Sequence, residues 1–341
     1  MKKIGGNALV IREVNSNLVR QVLKERGQAT KREIAESCGL SVVTVGSVLQ
    51  ALEEQNEVLP GELLSSSGGR PAQQYIYNDE YALALILFTH EEREAIYIHR
   101  TVVTLAGRRL LADSVEVPRV DLAALEVVID SSLESYPSIQ AIGLGLPGAE
   151  ADGTLAASDY EALRGVKVAE HFRERYSKPV VIENDVNAAV TGFCRRMQEE
   201  AASVVYLYFP DRFPPGAGIF IDGRLYKGSR GFAGEVAGLP LGIPWGDGGL
   251  LASFDALTDA IARLTVAVSS VLNPDVVVLY GSFLRGEHLE AVRQLCGIRL
   301  PEPAVPTVCL SEDFAADYIQ GMIVQTLRTL EQRLYLTTTE G

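Results

Sequence analysis

The chain has 341 residues, 47% of them apolar, with 31 basic and 44 acidic side chains and a net charge of −13. That is too long for one ordinary compact domain and apolar enough for sizeable cores, so two or three domains are expected. The acidic balance excludes nonspecific nucleic-acid binding by the whole surface, and no run approaches the roughly 18 apolar residues that span a bilayer.

The N-terminus, MKKIGGNALVIREVN, lacks the long apolar core and small-residue cleavage site of a signal peptide, so a cytoplasmic location is expected. Residues 15–27 pattern as a helix: Leu18, Val19, Val22 and Leu23 form a stripe and Gly27 is a stop. The segment Thr30–Leu52 then has the layout of a helix-turn-helix. Ile34 and Ala35 sit on a short helix, Gly39 allows the turn, and Ser41 is a good N-cap for a second helix. Val45, Val48, Leu49 and Leu52 recur at helical spacing and should bury one face of it. Val58–Leu59 and Tyr75–Tyr77 read as short strands around PGELLSSSGGRPAQQ, which is too polar for a core. This is the pattern of a winged helix-turn-helix over residues 1–78, with Arg70 near the wing tip as a minor-groove or phosphate contact. An ordinary solvated linker is the alternative.

Charge separates this head from the rest. Residues 1–32 hold eight bases against Glu13 and Glu25, whereas residues 33–80 hold Arg70 against eight acids. A basic leading edge on an acidic body suits a modular DNA binder, because only the head can approach phosphate.

After Asn78, strand-like segments (82–88, 95–103, 139–144, 180–183, 203–208, 217–221 and 276–280) alternate with helical ones (121–135, 160–176, 187–199, 254–272 and 313–336), which argues for an α/β architecture. The four cysteines, Cys38, Cys194, Cys296 and Cys309, have no CxxC spacing and read as reduced thiols; with only four histidines, no metal is expected.

The order of motifs resembles the ROK family of repressors and sugar kinases. It runs from the head through Gly143-Leu-Gly-Leu-Pro147-Gly148, Ile182-Glu183-Asn184-Asp185-Val186-Asn187 and Asp222-Gly223 to Gly231-Phe-Ala-Gly234-Glu235. The resemblance implies two ribonuclease-H-like lobes of the actin and hexokinase type over residues 79–341. Lobe one would take about 79–190 plus a C-terminal helix at about 312–336, and lobe two about 191–311. It also implies a homodimer or dimer of dimers.

Against that pattern the catalytic parts are altered. The first phosphate turn would need Asp and Gly after its strand, but this chain reads Phe88-Thr-His90-Glu91-Glu92. The second turn reads Arg212-Phe213-Pro214-Pro215, and proline offers no N–H to cradle phosphate. The adenosine-side Gly-Gly is Tyr280-Gly281, and the zinc-binding histidine position is Gly238. No nucleotide or other cofactor and no enzymatic activity are expected. Trp245 is read as a plug where the zinc loop is missing.

The resemblance leaves sugar-cleft residues in place. Asp185 occupies the catalytic-base position, and Asn184 and Glu235 occupy sugar-hydroxyl positions. The Ser-x-Asn sugar loop reads Ser158-Asp159-Tyr160, lacking its asparagine. Glu183–Asn187 acting simply as a helix cap is the alternative. On the head, both arginines usual in the family's second helix are replaced, by Val42 and Ser47. Base contacts would fall to Thr44, Ser47 and Gln50, with Val42 or Val43 against a thymine methyl and Ser41 at the helix start. Lys31, Arg32 and the N-terminal bases would hold phosphate. The sequence thus predicts a DNA-binding regulator of carbohydrate metabolism, AT-leaning, on a palindromic operator, with a possible small sugar ligand and no membrane partner. An atypical sugar kinase, or a sensor whose head binds protein, are the alternatives.

Overall fold

The structure, a computed structural model, describes residues 4–64, 71–92, 95–151, 154–157, 160–197, 203–211 and 213–336. The head opens with α1 (Ile4–Arg26), followed by β1 (Gln28–Thr30), α2 (Lys31–Cys38), α3 (Val42–Glu54), β2 (Val58–Leu64) and β3 (Ala72–Tyr77). Gly27, at φ +74°, ends α1 in the left-handed region. Thr30 and Glu33 close a capping box at α2: the Glu33 N–H donates to Thr30 Oγ1, and the Thr30 N–H donates to Glu33 Oε2 at 2.7 Å. Ser41 Oγ accepts the Thr44 N–H at 3.0 Å and caps α3, which buries Val45, Val48, Leu49 and Leu52. The expected helix-turn-helix is therefore present, with β3 flanked by β1 and β2 as a small antiparallel sheet.

α1 starts eleven residues before the expected helix at Asn15. Its added turns carry Val10, Ile11 and Val14 outward, so no burial stripe marks them in the sequence. Within the head, Arg20 and Glu57 form a buried fork: Nε lies 2.9 Å from Oε1 and Nη2 lies 3.0 Å from Oε2.

The body holds β4 (Leu83–Glu92), β5 (Ala95–Thr104), β6 (Arg109–Val117), α4 (Leu122–Ser135), β7 (Ile139–Gly145), β8 (Ala149–Ala151), β9 (Thr154–Ala157), α5 (Val168–Tyr176), β10 (Val180–Glu183) and α6 (Asp185–Met197). It continues with β11 (Ser203–Tyr208), β12 (Gly216–Ile221), β13 (Arg224–Leu225), α7 (Gly248–Ala252), α8 (Phe254–Leu272), β14 (Val276–Tyr280), α9 (Gly286–Arg299), β15 (Thr307–Leu310) and α10 (Phe314–Leu336). Two five-stranded sheets result, ordered β10-β7-β4-β5-β6 and β13-β12-β11-β14-β15. Each is an antiparallel meander of three strands followed by two parallel strands on the other side of the first. The same plan used twice is the two-lobed, ribonuclease-H-like architecture expected.

α6 buries Val186, Ala189, Val190 and Phe193 with Val204 and Tyr206 of the second sheet. α10 lies on the first sheet and runs against α6. At their crossing no side chain intervenes: a Cβ added at Gly321 would sit 1.8 Å from the Ala188 carbonyl oxygen, and one at Gly192 would sit 1.9 Å from that of Asp317. Asp317, buried on α10, accepts hydrogen bonds from Ser311 (2.6 Å) and Tyr206 (3.3 Å) of the second lobe, and Arg196 lies 2.9 Å away. The far end of α10 meets the head. Ile323 and Leu330 belong to one apolar cluster with Val19, Leu23 and Tyr77, and Lys24 Nζ lies 2.6 Å from Glu331 Oε1.

Candidate ligand cleft and DNA-reading head

The strand β10 ends in Glu183 and α6 begins two residues later, so 183–187 form a strand-to-helix corner between the lobes. Asn184 Oδ1 accepts the Asn187 N–H at 2.8 Å, an N-cap arrangement. Asp185 is half-buried, and its Oδ1 accepts the Val186 N–H at 2.8 Å. The most enclosed acid here is Glu183, only 4% exposed. Its Oε1 accepts from the Asn184 N–H (3.1 Å) and Asn187 Nδ2 (3.2 Å), and its Oε2 lies 2.6 Å from Lys227 Nζ. Burial pushes the Glu183 carboxyl above its ordinary value, and Lys227 with the two donors works against that rise.

Asn184, Asn187, Lys227, Gly148 and Gly231 line a recess of about 20 Å³. A volume of that size holds about one water, so a sugar needs the corner to open. Asp185 and Glu235 do not line it, and Glu235 is exposed. The structure therefore gathers Asn184 with Glu183 and Lys227, and leaves the other two expected ligands outside the recess. Glu183 and Lys227 were missed by sequence reasoning. Glu183 lies inside the quoted motif and at a strand end, which was the available signal; Lys227 is distant in sequence and follows no period. Ser158 and Asp159 lie outside the described residues.

At the first phosphate position the chain makes a hairpin. β4 and β5 stay in register as far as Glu92↔Ala95, and the strand end Phe88–Glu92 carries neither Asp nor Gly; residues 93 and 94 lie outside the described residues. At the second, Phe213, Pro214 and Pro215 join β11 to β12, and Asp211 accepts a hydrogen bond from Ser282; Arg212 lies outside the described residues. Trp245 tilts against Phe209 with ring centroids 5.9 Å apart, partly filling the space beside that connection.

On the head, α3 presents Val42 (50% exposed), Val43 (83%), Ser47 and Gln50 to solvent, while Thr44 is half-buried. Ser41 is committed to capping, and its hydroxyl also bonds Thr44 Oγ1 at 2.8 Å. Gln50 Nε2 donates to Glu54 at 3.2 Å. Lys31 Nζ stands 5.4 Å over the Tyr75 ring and beside Gly46, where an added Cβ would meet it at an ordinary 3.8 Å. Arg32 is exposed and pairs with Glu36 at 2.8 Å. Two members of the expected phosphate-contacting edge are otherwise engaged: Arg20 is buried against Glu57, and Lys24 is tied to Glu331. Composition counted them as surface charge, but each has an acid partner distant in sequence. Arg70 and the wing tip lie outside the described residues.

Comparison with known proteins gives this geometry relatives. Residues 95–242 match the ROK family. The xylose repressor of Caldicellulosiruptor bescii is 24% identical over 68% of this chain and 59% of its own length. The xylose repressor of Bacillus subtilis is 23% identical over 66% of this chain and 60% of its own, and the N-acetylglucosamine repressor of Escherichia coli O157:H7 is 22% identical over 70% and 60%. The chain thus spans about 60% of the length of these curated relatives. Among solved structures, a ROK family transcriptional regulator described as a homolog of the E. coli MLC protein aligns with a TM-score of 0.68 at 16% identity, covering 97% of this chain and 100% of that one. The ROK hexokinase from Thermus thermophilus aligns at 0.59 and 19%, covering 74% and 99%. At these identities the structural likeness speaks for the fold. No single helix among the described residues is long and apolar enough to cross a membrane.

Proposed function

The chain carries a ROK family domain, and from that premise we propose that it is a sugar-responsive transcriptional repressor. Residues 1–78 would bind DNA, and residues 79–341 would sense a ligand without catalysing phosphoryl transfer. The observation that carries the reading is the position of α10. One helix packs on α6 across the lobes at Gly321 and meets the head at Glu331, paired with Lys24, with Leu330 in the apolar cluster that joins the head to the first sheet. A change in lobe angle would therefore reach α1, against which α3 packs.

The relatives named as repressors of xylose and N-acetylglucosamine systems support a small neutral sugar as ligand. Asn184, Asp185 and Glu235 are the residues we assign to its hydroxyls, with Glu183 and Lys227 setting the corner they stand on. Binding would shift the lobes only by the difference in affinity between closed and open arrangements. Absence of enzymatic activity is supported by the lack of Asp and Gly after β4 and by Pro214 and Pro215, which have no N–H for an amide cradle.

For DNA, the exposed edge of α3 offers Val42, Thr44, Ser47 and Gln50, with Lys31, Arg32 and Arg70 toward phosphate. No arginine stands on α3 to fork onto guanine, so an AT-leaning palindrome read by a homodimer follows, with half-sites about 34–36 Å apart or a multiple of that. Selection of genomic fragments at low salt, followed by anisotropy titration with and without xylose and N-acetylglucosamine, tests this. Enriched palindromes with salt-dependent affinity are expected; no enrichment at low salt sinks the regulator reading. Coupled ADP release over a panel of hexoses tests the other half, and turnover abolished by Asp185→Ala would overturn the non-catalytic assignment.

One observation favours a second reading. Val42 and Val43 are the most exposed apolar side chains on α3, and α3 carries no base. A head that grips protein would look the same, and co-purification of a partner insensitive to nuclease would favour it.

A further inference from the structure

Away from the corner at Asn184, a groove of about 870 Å³ opens between α6, the β12–β13 hairpin and the outer half of α10. That volume falls in the range of small-molecule sites. Its floor is largely apolar, from Val181, Phe220, Leu225 and Val324, with Gln325 and Thr191 bonded to each other at 3.4 Å. Its rim carries Arg195 from α6, Arg224 from the hairpin and Arg328 from α10. Among the described residues no ion pair joins any of these three to an acid; the lining carboxylates are Asp222, exposed at the hairpin turn, and Glu183, which is held by Lys227.

An isolated exposed arginine is an ordinary solvated charge. Here three elements each bring one to the same opening, on a chain whose net charge is −13. Three guanidinium groups and Lys227 face one groove against two carboxylates, one of them already held by Lys227, and a bound anion offsets that excess of positive charge while accepting paired N–H bonds. The apolar floor gives an inorganic ion or a bare sugar little to bind, but it buries an aromatic or aliphatic body. We propose that this groove is a second small-molecule site, taking an organic anion: a carboxylate or phosphate monoester carried on an apolar body.

The groove is distinct from the recess at Asn184, but the Glu183–Lys227 pair forms part of the wall of both. Lys227 lines the groove on one side and the small recess at Asn184 on the other. An anion in the groove offers its ammonium a second partner besides Glu183.

The test is calorimetric titration of the full chain with 1-naphthyl phosphate and with neutral 1-naphthol. Naphthyl phosphate should bind at least about ten-fold more tightly than naphthol, and the Arg224→Ala/Arg328→Ala double variant should lose at least about ten-fold in affinity for it. Neither xylose nor inorganic phosphate should compete. Equal binding of phosphate and alcohol, unchanged binding in a folded double variant, or displacement by xylose would each overturn the proposal. The naphthyl phosphate against naphthol comparison uses the unaltered protein and so decides even if the variant misfolds. The outcome is independent of the regulator reading: a chain that takes the probe but selects no DNA keeps the groove and loses the repressor.

Discussion

The helix α10 makes two seams, and they are built in opposite ways. Against α6 its centre touches backbone to backbone, with Gly321 on Ala188 and Gly192 under Asp317, flanked by the Arg196–Asp317 ion pair and the Gln325–Thr191 hydrogen bond. Against the head it touches through side chains, with Ile323 and Leu330 in the apolar cluster that also holds Val19, Leu23 and Tyr77. A crossing point with no side chain between the two backbones gives up few dispersion contacts when it rotates, but translation drives backbone into backbone. A side-chain seam gives up buried area in either motion. The lesson is that the interlobe contact is a pivot and the head contact a clamp, so the head should follow α10 when the lobes turn.

The most direct way to break that comparison is to fill the pivot. Gly321→Ala places a methyl 1.8 Å from a carbonyl oxygen that belongs to another helix. Neither helix can move away without leaving its sheet, and a loss of about 4 kcal/mol or more is expected. Urea unfolding measures it. A variant as stable as the parent would mean that the helices separate freely and the pivot does not exist.

Within the head the largest effect should come from Glu57→Ala, which strands the buried Arg20 guanidinium. Removing one partner of a buried pair costs about 3–5 kcal/mol, and the lower end is expected because Arg20 Nη1 keeps Glu13 at 2.9 Å. The head should then unfold before the body, giving two transitions by calorimetry. One cooperative transition at lower temperature would show that the clamp ties the head to the body even when its own core is broken.

The corner between the lobes is predicted to respond to pH. Burial raises the Glu183 carboxyl in the folded protein above its value in the unfolded chain. The native state therefore binds the extra proton between the ordinary carboxylate range and the raised value. Stability due to this group falls as pH rises through that window and is fully recovered below it. Glu183→Gln should remove that slope while leaving Lys227 solvated, since its side chain is 40% exposed. Unfolding free energy measured from pH 4 to 8 should be flatter in the variant. A parallel profile would mean that Lys227 fully offsets the burial.

How much of this could be read from sequence divides along the same lines as the two seams. Local rules exposed α3: Ser41 caps it, and Val45, Val48, Leu49 and Leu52 fall on its buried face. They did not expose β1, which is three residues long, or α9, which buries only Val292 and Cys296 and so has almost no stripe. β6 was missed because it alternates poorly and carries Asp113 toward Arg100. The ligand triad Asn184, Asp185 and Glu235 came from a family pattern, whereas the Glu183–Lys227 pair that shapes the recess is a contact across 44 positions with no periodic trace. Likewise Arg20 and Lys24 look like surface charge until their partners, Glu57 and Glu331, arrive from elsewhere in the chain.

The smallest expected effect sharpens the clamp most. Lys24→Ala removes the ion pair with Glu331, whose side chains are 26% and 39% exposed. Such pairs contribute about 0.2–1 kcal/mol, and a loss near the bottom of that range is expected because both side chains keep part of their surface in water. If the clamp is the apolar cluster, thermal unfolding of Lys24→Ala should remain a single transition, and any response of DNA affinity to sugar should survive. The matched change, Leu330→Ala, deletes a fully buried side chain from that cluster and should cost about 2–5 kcal/mol. It should also uncouple sugar from DNA, since the apolar cluster that joins α10 and the head is then depleted. The opposite outcome, coupling lost in Lys24→Ala and kept in Leu330→Ala, would make the seam electrostatic and would free the head to move independently of the helix beneath it.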